Sequence, residues 1–289
     1  MNIRFRGVRG SFPVASPACK RYGGNTPCIE VTTADQSILI DAGSGIRAAG
    51  KSLRAKGVKR IHLLMSHTHW DHIQGLPHFA PMHCADTHIT FYSLHRHEGL
   101  DSVLAGQQQA PFAAVALDQV AARLDFVTLE EGQEAAIGAA RVCCRRLNHP
   151  DVTGGFRIAA DDAVFSYISD TDLYGERLHC GGVDPASEAD KNRILEELRH
   201  GACQLAAGAD LMVCDTFFLP EEYKPDYGHS RPEDALRLGA EADARSVALF
   251  HHAPHYDDGT LDDMLERYRG LAPAGMSLES AREGLEIAL

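Results

Sequence analysis

The sequence predicts an α/β or α+β fold. Blocks of strand-length apolar runs recur along the chain, and amphipathic helical segments fall between and after them. Several of the runs, at 61–65, 163–168 and 245–250, stop just before His or Asp. Such blocks fit two mixed sheets facing each other, with helices on both outer sides. The chain of 289 residues shows no linker, repeat or low-complexity tract, so residues 1–289 are expected to form one domain.

The first element is a weakly alternating strand at 2–6. Gly- and Pro-bearing stretches follow, Arg9-Gly10-Ser11-Phe12-Pro13 and Arg21-Tyr22-Gly23-Gly24-Asn25-Thr26-Pro27. Strands are expected at 28–33 and 37–40 around the turn Ala34-Asp35-Gln36, and Asp41-Ala42-Gly43-Ser44-Gly45 leads into a helix over 44–56. That turn lacks the GK[ST] ending of a phosphate loop. The run Ile61-His62-Leu63-Leu64-Met65 reads as a buried strand, Ile73–Pro77 as the start of a helix or turn, and 88–93 as a strand. Residues 98–122 read as a helix, a Pro-bearing loop and a short helix at 118–122.

Strands follow at 123–129, 134–137 and 141–147, then a hairpin of 154–160 and 163–168 around Asp161-Asp162. Residues 173–186 form a Gly- and Pro-bearing loop, and 187–208 a long mixed-charge helix with Leu195, Leu198, Cys203 and Leu205 inward. A strand at 210–216, a turn at 219–223, a helix at 231–242 capped by Ser230, a strand at 245–250 and a helix at 260–270 complete the series.

Composition narrows the function. The formal net charge of −12 disfavours a large polyanionic partner, because grip on a phosphate backbone rests on Lys and Arg. No apolar run approaches the roughly 18 residues of a membrane span, and the first residues lack an apolar signal core, so a cytoplasmic location is expected. The eight cysteines are scattered without a CxxC pair and read as reduced structural thiols outside any metal site. His78, His83, His88, His95 and His97 show no ligand spacing and read as ordinary.

The chemistry concentrates in His67-Thr68-His69-Trp70-Asp71-His72. Side chains on extended backbone repeat every second residue, so His67 and His69 point the same way. Asp71 and His72 come after the turn and can face a second point. Clustering these groups without a metal would cost desolvation for no evident gain. The layout suits two ions, with Zn²⁺ expected and Mn²⁺ or Fe²⁺ able to use the same ligands.

This stretch resembles the HxHxDH signature of the metallo-β-lactamase superfamily. The GS-x-P…GGNT pattern at 10–26 and Gly228-His229-Ser230 resemble its ribonuclease Z-like, cyclic phosphodiesterase branch. The resemblance implies a four-layer αββα sandwich. It implies that His67, His69 and His149 hold one ion, that Asp71, His72 and His251 hold the other, and that Asp170 bridges both. His252 is the alternative to His251. Asp41 would orient the metal loop through hydrogen bonds, Asp71 would also hydrogen-bond the nucleophile, and His229 would assist the leaving oxygen.

The implied activity is that of a dinuclear metal-dependent hydrolase. A phosphodiesterase acting on a small or cyclic phosphodiester through a metal-activated hydroxide is expected. A lactone or thioester hydrolase and a non-catalytic metal-stabilised binding protein are the alternatives. The acidic charge and the absence of a clear basic arm disfavour transfer RNA, no membrane partner is expected, and a homodimer is a family-level expectation.

Overall fold

The computed structural model describes residues 1–180 and 183–289. Residues 181 and 182, in the loop expected at 173–186, lie outside the described residues. The chain runs β1 (Asn2–Gly7), β2 (Cys28–Thr32), β3 (Ser37–Ile40), α1 (Ile46–Ala55), β4 (Arg60–Leu64), α2 (Trp70–Ile73), β5 (His88–Leu94), α3 (Leu100–Gln107) and β6 (Arg123–Leu129). It continues through β7 (Glu134–Ile137), β8 (Ala140–Arg146), β9 (Gly154–Ala160), β10 (Ala163–Ile168), α4 (Glu188–Ala206) and β11 (Leu211–Asp215). It ends with α5 (Pro232–Glu241), β12 (Ser246–Phe250), α6 (Asp258–Arg269), β13 (Ser277–Ser280) and β14 (Glu286–Ala288).

Two seven-stranded sheets result, ordered β14-β1-β2-β3-β4-β5-β6 and β13-β12-β11-β10-β9-β8-β7. Each is half antiparallel and half parallel. In the first, β3 through β6 run parallel; in the second, β10 through β13 do. The C-terminal stretch divides between them: β13 edges the second sheet, and β14 pairs antiparallel with β1 at the edge of the first.

Strand alternation explains the layers. Leu211 and Val213 of β11 and Ala248 and Phe250 of β12 join Ile3, Phe5, Ile38 and Phe165 between the sheets. Their neighbours Met212, Cys214, Val247 and Leu249 point outward, under α4, α5 and α6, among Leu205, Leu238 and Leu261. In the first sheet, Ile61 and Leu63 face Ile46 and Leu53 of α1. Strands buried on both faces are continuously apolar, and that is why these runs read so clearly in sequence. The layers are helix, sheet, sheet, helix, the expected sandwich.

Some boundaries differ from expectation. α2 starts at Trp70, so Asp71 and His72 already lie on a helical turn. Residues 118–122 hold a 3₁₀ turn at Leu117–Gln119. Arg231, not Ser230, caps α5: its backbone N–H donates to Asp234 Oδ2 at 3.0 Å. Ser230 is recruited elsewhere, donating to Thr171 O at 2.6 Å and accepting from Leu173 N at 3.2 Å. All eight cysteines are free thiols.

Candidate metal centre

The parallel strands aim their carboxyl ends at one edge of the sandwich, where α/β folds place their chemistry. Asp41 follows β3, His67 to His72 follow β4, Asp170 follows β10, Asp215 closes β11 and His251 follows β12. His149 arrives from β8. Asp41 and His251 both adopt left-handed backbone, at φ 61° and 63°, an uncommon state for residues other than glycine that concentrates at functional sites. Gly10 lets its loop lie against His251, since a Cβ there would stand 2.6 Å from the His251 ring.

Two groups of donor atoms meet. One contains His67, His69, His149 and Asp170, and the other Asp71, His72, Asp170 and His251. In the first, His149 Nε2 lies 3.0 Å from His69 Nδ1 and 3.9 Å from Asp170 Oδ2, and His67 Nε2 lies 3.6 Å from the same oxygen. In the second, His72 Nε2 lies 3.3 Å from both His251 Nε2 and Asp170 Oδ1, and His251 Nε2 lies 3.1 Å from Asp71 Oδ2. Donors at tetrahedral corners, roughly 2.0–2.1 Å from an ion, stand about 3.3 Å apart. Asp170 turns one oxygen to each group. Its Oδ1 and His67 Nε2 are buried without a hydrogen-bond partner, a costly state for polar atoms that nothing coordinates. This donor set fits two divalent ions.

The outer hydrogen bonds fix which nitrogen is bare. Ser66 Oγ donates to Asp41 Oδ2 at 2.8 Å, so it accepts from His67 Nδ1 at 3.0 Å and leaves His67 Nε2 without a proton. His149 Nδ1 donates to Gly228 O at 2.8 Å, which frees its Nε2 in the same way. His72 Nδ1 donates to Asp41 Oδ2 at 2.8 Å. Asp41 is itself held by Ser66 N at 2.8 Å and Tyr167 Oη at 2.9 Å. It has the contacts expected of a group that orients the metal loop.

Electrostatics separate the two groups. Burial pulls His67 well below the usual imidazole range and His149 down to about 3. Burial also opposes charge on His72 and His251, but the carboxylates of Asp170, Asp71, Asp41 and Asp215 outweigh it. His72 is raised well above 6.5 and His251 is pushed up to about 10. Desolvation of Asp170 is likewise overcome, by His251, His72 and His67, and its carboxyl falls well below 3.8.

His229 joins a third group with Asp170, Asp215 and His251. Its Nδ1 donates to Asp215 Oδ2 at 2.9 Å, and Phe217 stacks on its ring at 4.7 Å. His252 faces away and donates from Nε2 to Ala281 O at 2.9 Å. Asp172 accepts from Tyr223 Oη at 2.7 Å, outside the groups. Sequence reading missed Asp215, although it ends an apolar strand in a carboxylate just as the Asp170 segment does. It also missed Ser11, whose backbone N–H donates to Asp71 Oδ2 at 2.7 Å; a backbone donor leaves no residue-type signal.

Comparison with known proteins adds relatives to this geometry. Ribonuclease Z of Bradyrhizobium diazoefficiens is 26% identical over 289 aligned residues, covering 89% of this chain and 91% of that protein. The metallo-beta-lactamase fold protein YhfI of Bacillus subtilis superposes with a TM-score of 0.70 at 16% identity, covering 99% of this chain and 98% of its own. A diphosphatase of the PhnP family superposes at 0.66 with 16% identity, covering 100% and 97%. Residues 36–187 match the family model described as a beta-lactamase superfamily domain. That match spans more than half of the sequence and contains His67 to His72, His149 and Asp170, and by it this chain belongs to the beta-lactamase superfamily.

Proposed function

We propose that the protein is a dinuclear metal-dependent phosphoric diester hydrolase, with residues 1–289 working as one catalytic domain. The observation that carries this reading is the pair of four-donor groups sharing Asp170. His67, His69 and His149 would hold one ion, Asp71, His72 and His251 the other, and Asp170 would bridge them. Zn²⁺ is favoured by the nitrogen-rich donor set, with Mn²⁺ and Fe²⁺ as the other candidates. Two divalent ions supply Lewis acidity: they acidify water and offset charge on phosphoryl oxygens.

The chain's own groups do the rest. Asp71, steadied by Ser11 N–H on Oδ2, would accept a hydrogen bond from the attacking water through its carboxylate's other oxygen and align it. His229 is fixed through Nδ1 by Asp215 and by the stacked Phe217 ring. That leaves Nε2 to pass a proton to the departing alkoxide. Relatives named ribonuclease Z, and a neighbour named a diphosphatase, support phosphoryl chemistry over lactone or thioester cleavage.

A small or cyclic diester is the favoured substrate. RNA is the second reading, because relatives named ribonuclease Z match most of this chain; the charge argument against transfer RNA gains no support from them. Among the described residues, no helix is long and apolar enough to cross a membrane.

The test is hydrolysis of bis(p-nitrophenyl) phosphate by protein stripped of metal and refilled with Zn²⁺ or Mn²⁺. A lactone and a glutathione thioester are run alongside. Metal-dependent diester cleavage is expected. Lactone or thioester turnover without diester turnover overturns the substrate class.

A further inference from the structure

His69 is held differently from the other imidazoles of the donor cluster. His67, His72 and His149 are each fixed through Nδ1, by Ser66, Asp41 and Gly228 O, and turn Nε2 inward. His69 turns Nδ1 inward instead, 3.0 Å from His149 Nε2. It is the exposed member of its group, whose other donors are buried. Among the described residues no protein group hydrogen-bonds its Nε2. Nδ1 sits next to the ring's attachment to Cβ, so the backbone at 68–69 decides where this donor stands.

That backbone is pinned from the side. Thr68 lies between His67 and His69. Its N–H donates to Asp151 Oδ2 at 3.2 Å, and its hydroxyl donates to the same oxygen at 3.0 Å. Asp151 stands two residues after His149, on a loop from the other sheet. Arg96, just past β5, closes the arrangement. Its Nη2 donates to Thr68 Oγ1 at 2.8 Å and pairs with Asp151 Oδ2, and its Nη1 donates to Val152 O at 3.1 Å. Val152 N donates to Asp151 Oδ1 at 2.7 Å.

The Thr68 hydroxyl thus gives its proton to a carboxylate and accepts from a guanidinium. The Arg96 side chain is 8% exposed, while His95 and His97 on either side of it lie in solvent. A buried guanidinium repays its desolvation only in a well-fixed, charge-assisted geometry. A backbone bond, Gly154 N to Ser66 O at 2.8 Å, joins the same two loops independently. The loops therefore stay together without the side chains, and what the side chains add is the placement of Thr68 and His69.

Resting on the two-ion reading, we propose that Arg96, Asp151 and Thr68 form a clamp that positions His69 against His149 and sets the affinity of the ion in the His67 half. The test is titration of the metal-free protein with Co²⁺ in competition with a chelator. Visible absorption reports the ligands around each ion, and the two affinities are read separately. Thr68→Val, which removes only the hydroxyl link, and Arg96→Ala should each weaken one ion roughly 10- to 100-fold and leave the other within about twofold. Thr68→Ser should keep both affinities. In a His69→Ala background, where the positioned donor is gone, Arg96→Ala should cost that ion no more than about twofold further. A salt bridge that only stabilises the fold would weaken both ions, with or without His69.

Equal weakening of both ions, unchanged affinities in both Thr68→Val and Arg96→Ala, or an undiminished loss in the His69→Ala background overturns the clamp. Circular dichroism verifies that each variant is folded, and if Arg96→Ala is not, the Thr68 pair decides. The reaction class is read separately with bis(p-nitrophenyl) phosphate. Selective loss of one ion in a protein that cleaves no diester sinks the phosphodiesterase reading alone, and diester cleavage with both affinities untouched sinks the clamp alone.

Discussion

The two halves of the donor cluster share Asp170 and a six-residue motif, yet their surroundings pull protonation in opposite directions. Around His67, His69 and His149 burial dominates, and the imidazoles are held neutral with bare nitrogens facing one another. Around His72 and His251, four carboxylates (Asp41, Asp71, Asp170 and Asp215) overcome the same burial and keep protons on the rings. One half can accept a cation with no change of protonation. The other favours positive charge held as protons, which a cation has to displace. Neighbouring carboxylates, not burial, set the difference.

The comparison can be broken at its shared member. Asp170→Asn should lower metal content in both halves and cut diester turnover by about a thousandfold or more. Loss of only one metal equivalent, measured by elemental analysis, would show that the halves do not share it. Asp71→Ala touches one half: it should abolish turnover while the chain stays folded by circular dichroism, and retained activity would sink the mechanism. Asp41→Asn should weaken metal affinity by roughly 10- to 100-fold, most at the His72 half, where Asp41 fixes the ring directly through its Nδ1 proton, and less at the other, where it acts on His67 through Ser66.

Protonation sharpens the comparison further. Filling the metal-free protein at pH 7.5 should release protons from the His72 and His251 pair. Calorimetry in buffers of differing ionisation enthalpy reads this, and no buffer dependence would refute the charge assignment. The smallest effect is on stability without metal. An unfolded imidazole titrates near 6.5. His149, at about 3 when folded, refuses a proton the unfolded chain accepts, so stability falls as pH drops below 6.5. His251, at about 10 when folded, gives stability that is full below 6.5 and is lost as pH rises through 10. Thermal unfolding should therefore peak near pH 6.5, and each limb should be steeper than the roughly 1.4 kcal/mol per pH unit of a single group, because His67 joins His149 on the acid side and His72 joins His251 on the alkaline side. His149→Gln should make the acid limb shallower without removing it, and His251→Gln should do the same to the alkaline one.

Much of this centre was legible because its first donors are contiguous and the others follow apolar runs. The doubly buried strands, continuous in Val, Ile, Leu and Phe, gave the layers for the same reason. The choice between His251 and His252 was not legible. Adjacent residues past a strand face opposite ways, and only packing shows that His251 turns to the cluster while His252 reaches Ala281. Ser230 misled because a tertiary acceptor, Thr171 O, claimed the hydroxyl that local pattern assigned to a helix end. Asp215 carried the same signal as Asp170 and was passed over for want of a neighbouring motif.

The seam between the sheets has a mechanical consequence. The segment His67–His72 hangs from the first sheet, and His149, Asp170 and His251 hang from the second. An ion held in either half would therefore be a cross-link between layers otherwise joined chiefly by apolar contact, closing loops of many tens of residues. Chelation would cut two rivets at one edge of the sandwich, and amide exchange should quicken first along that edge, leaving the β1–β14 side protected.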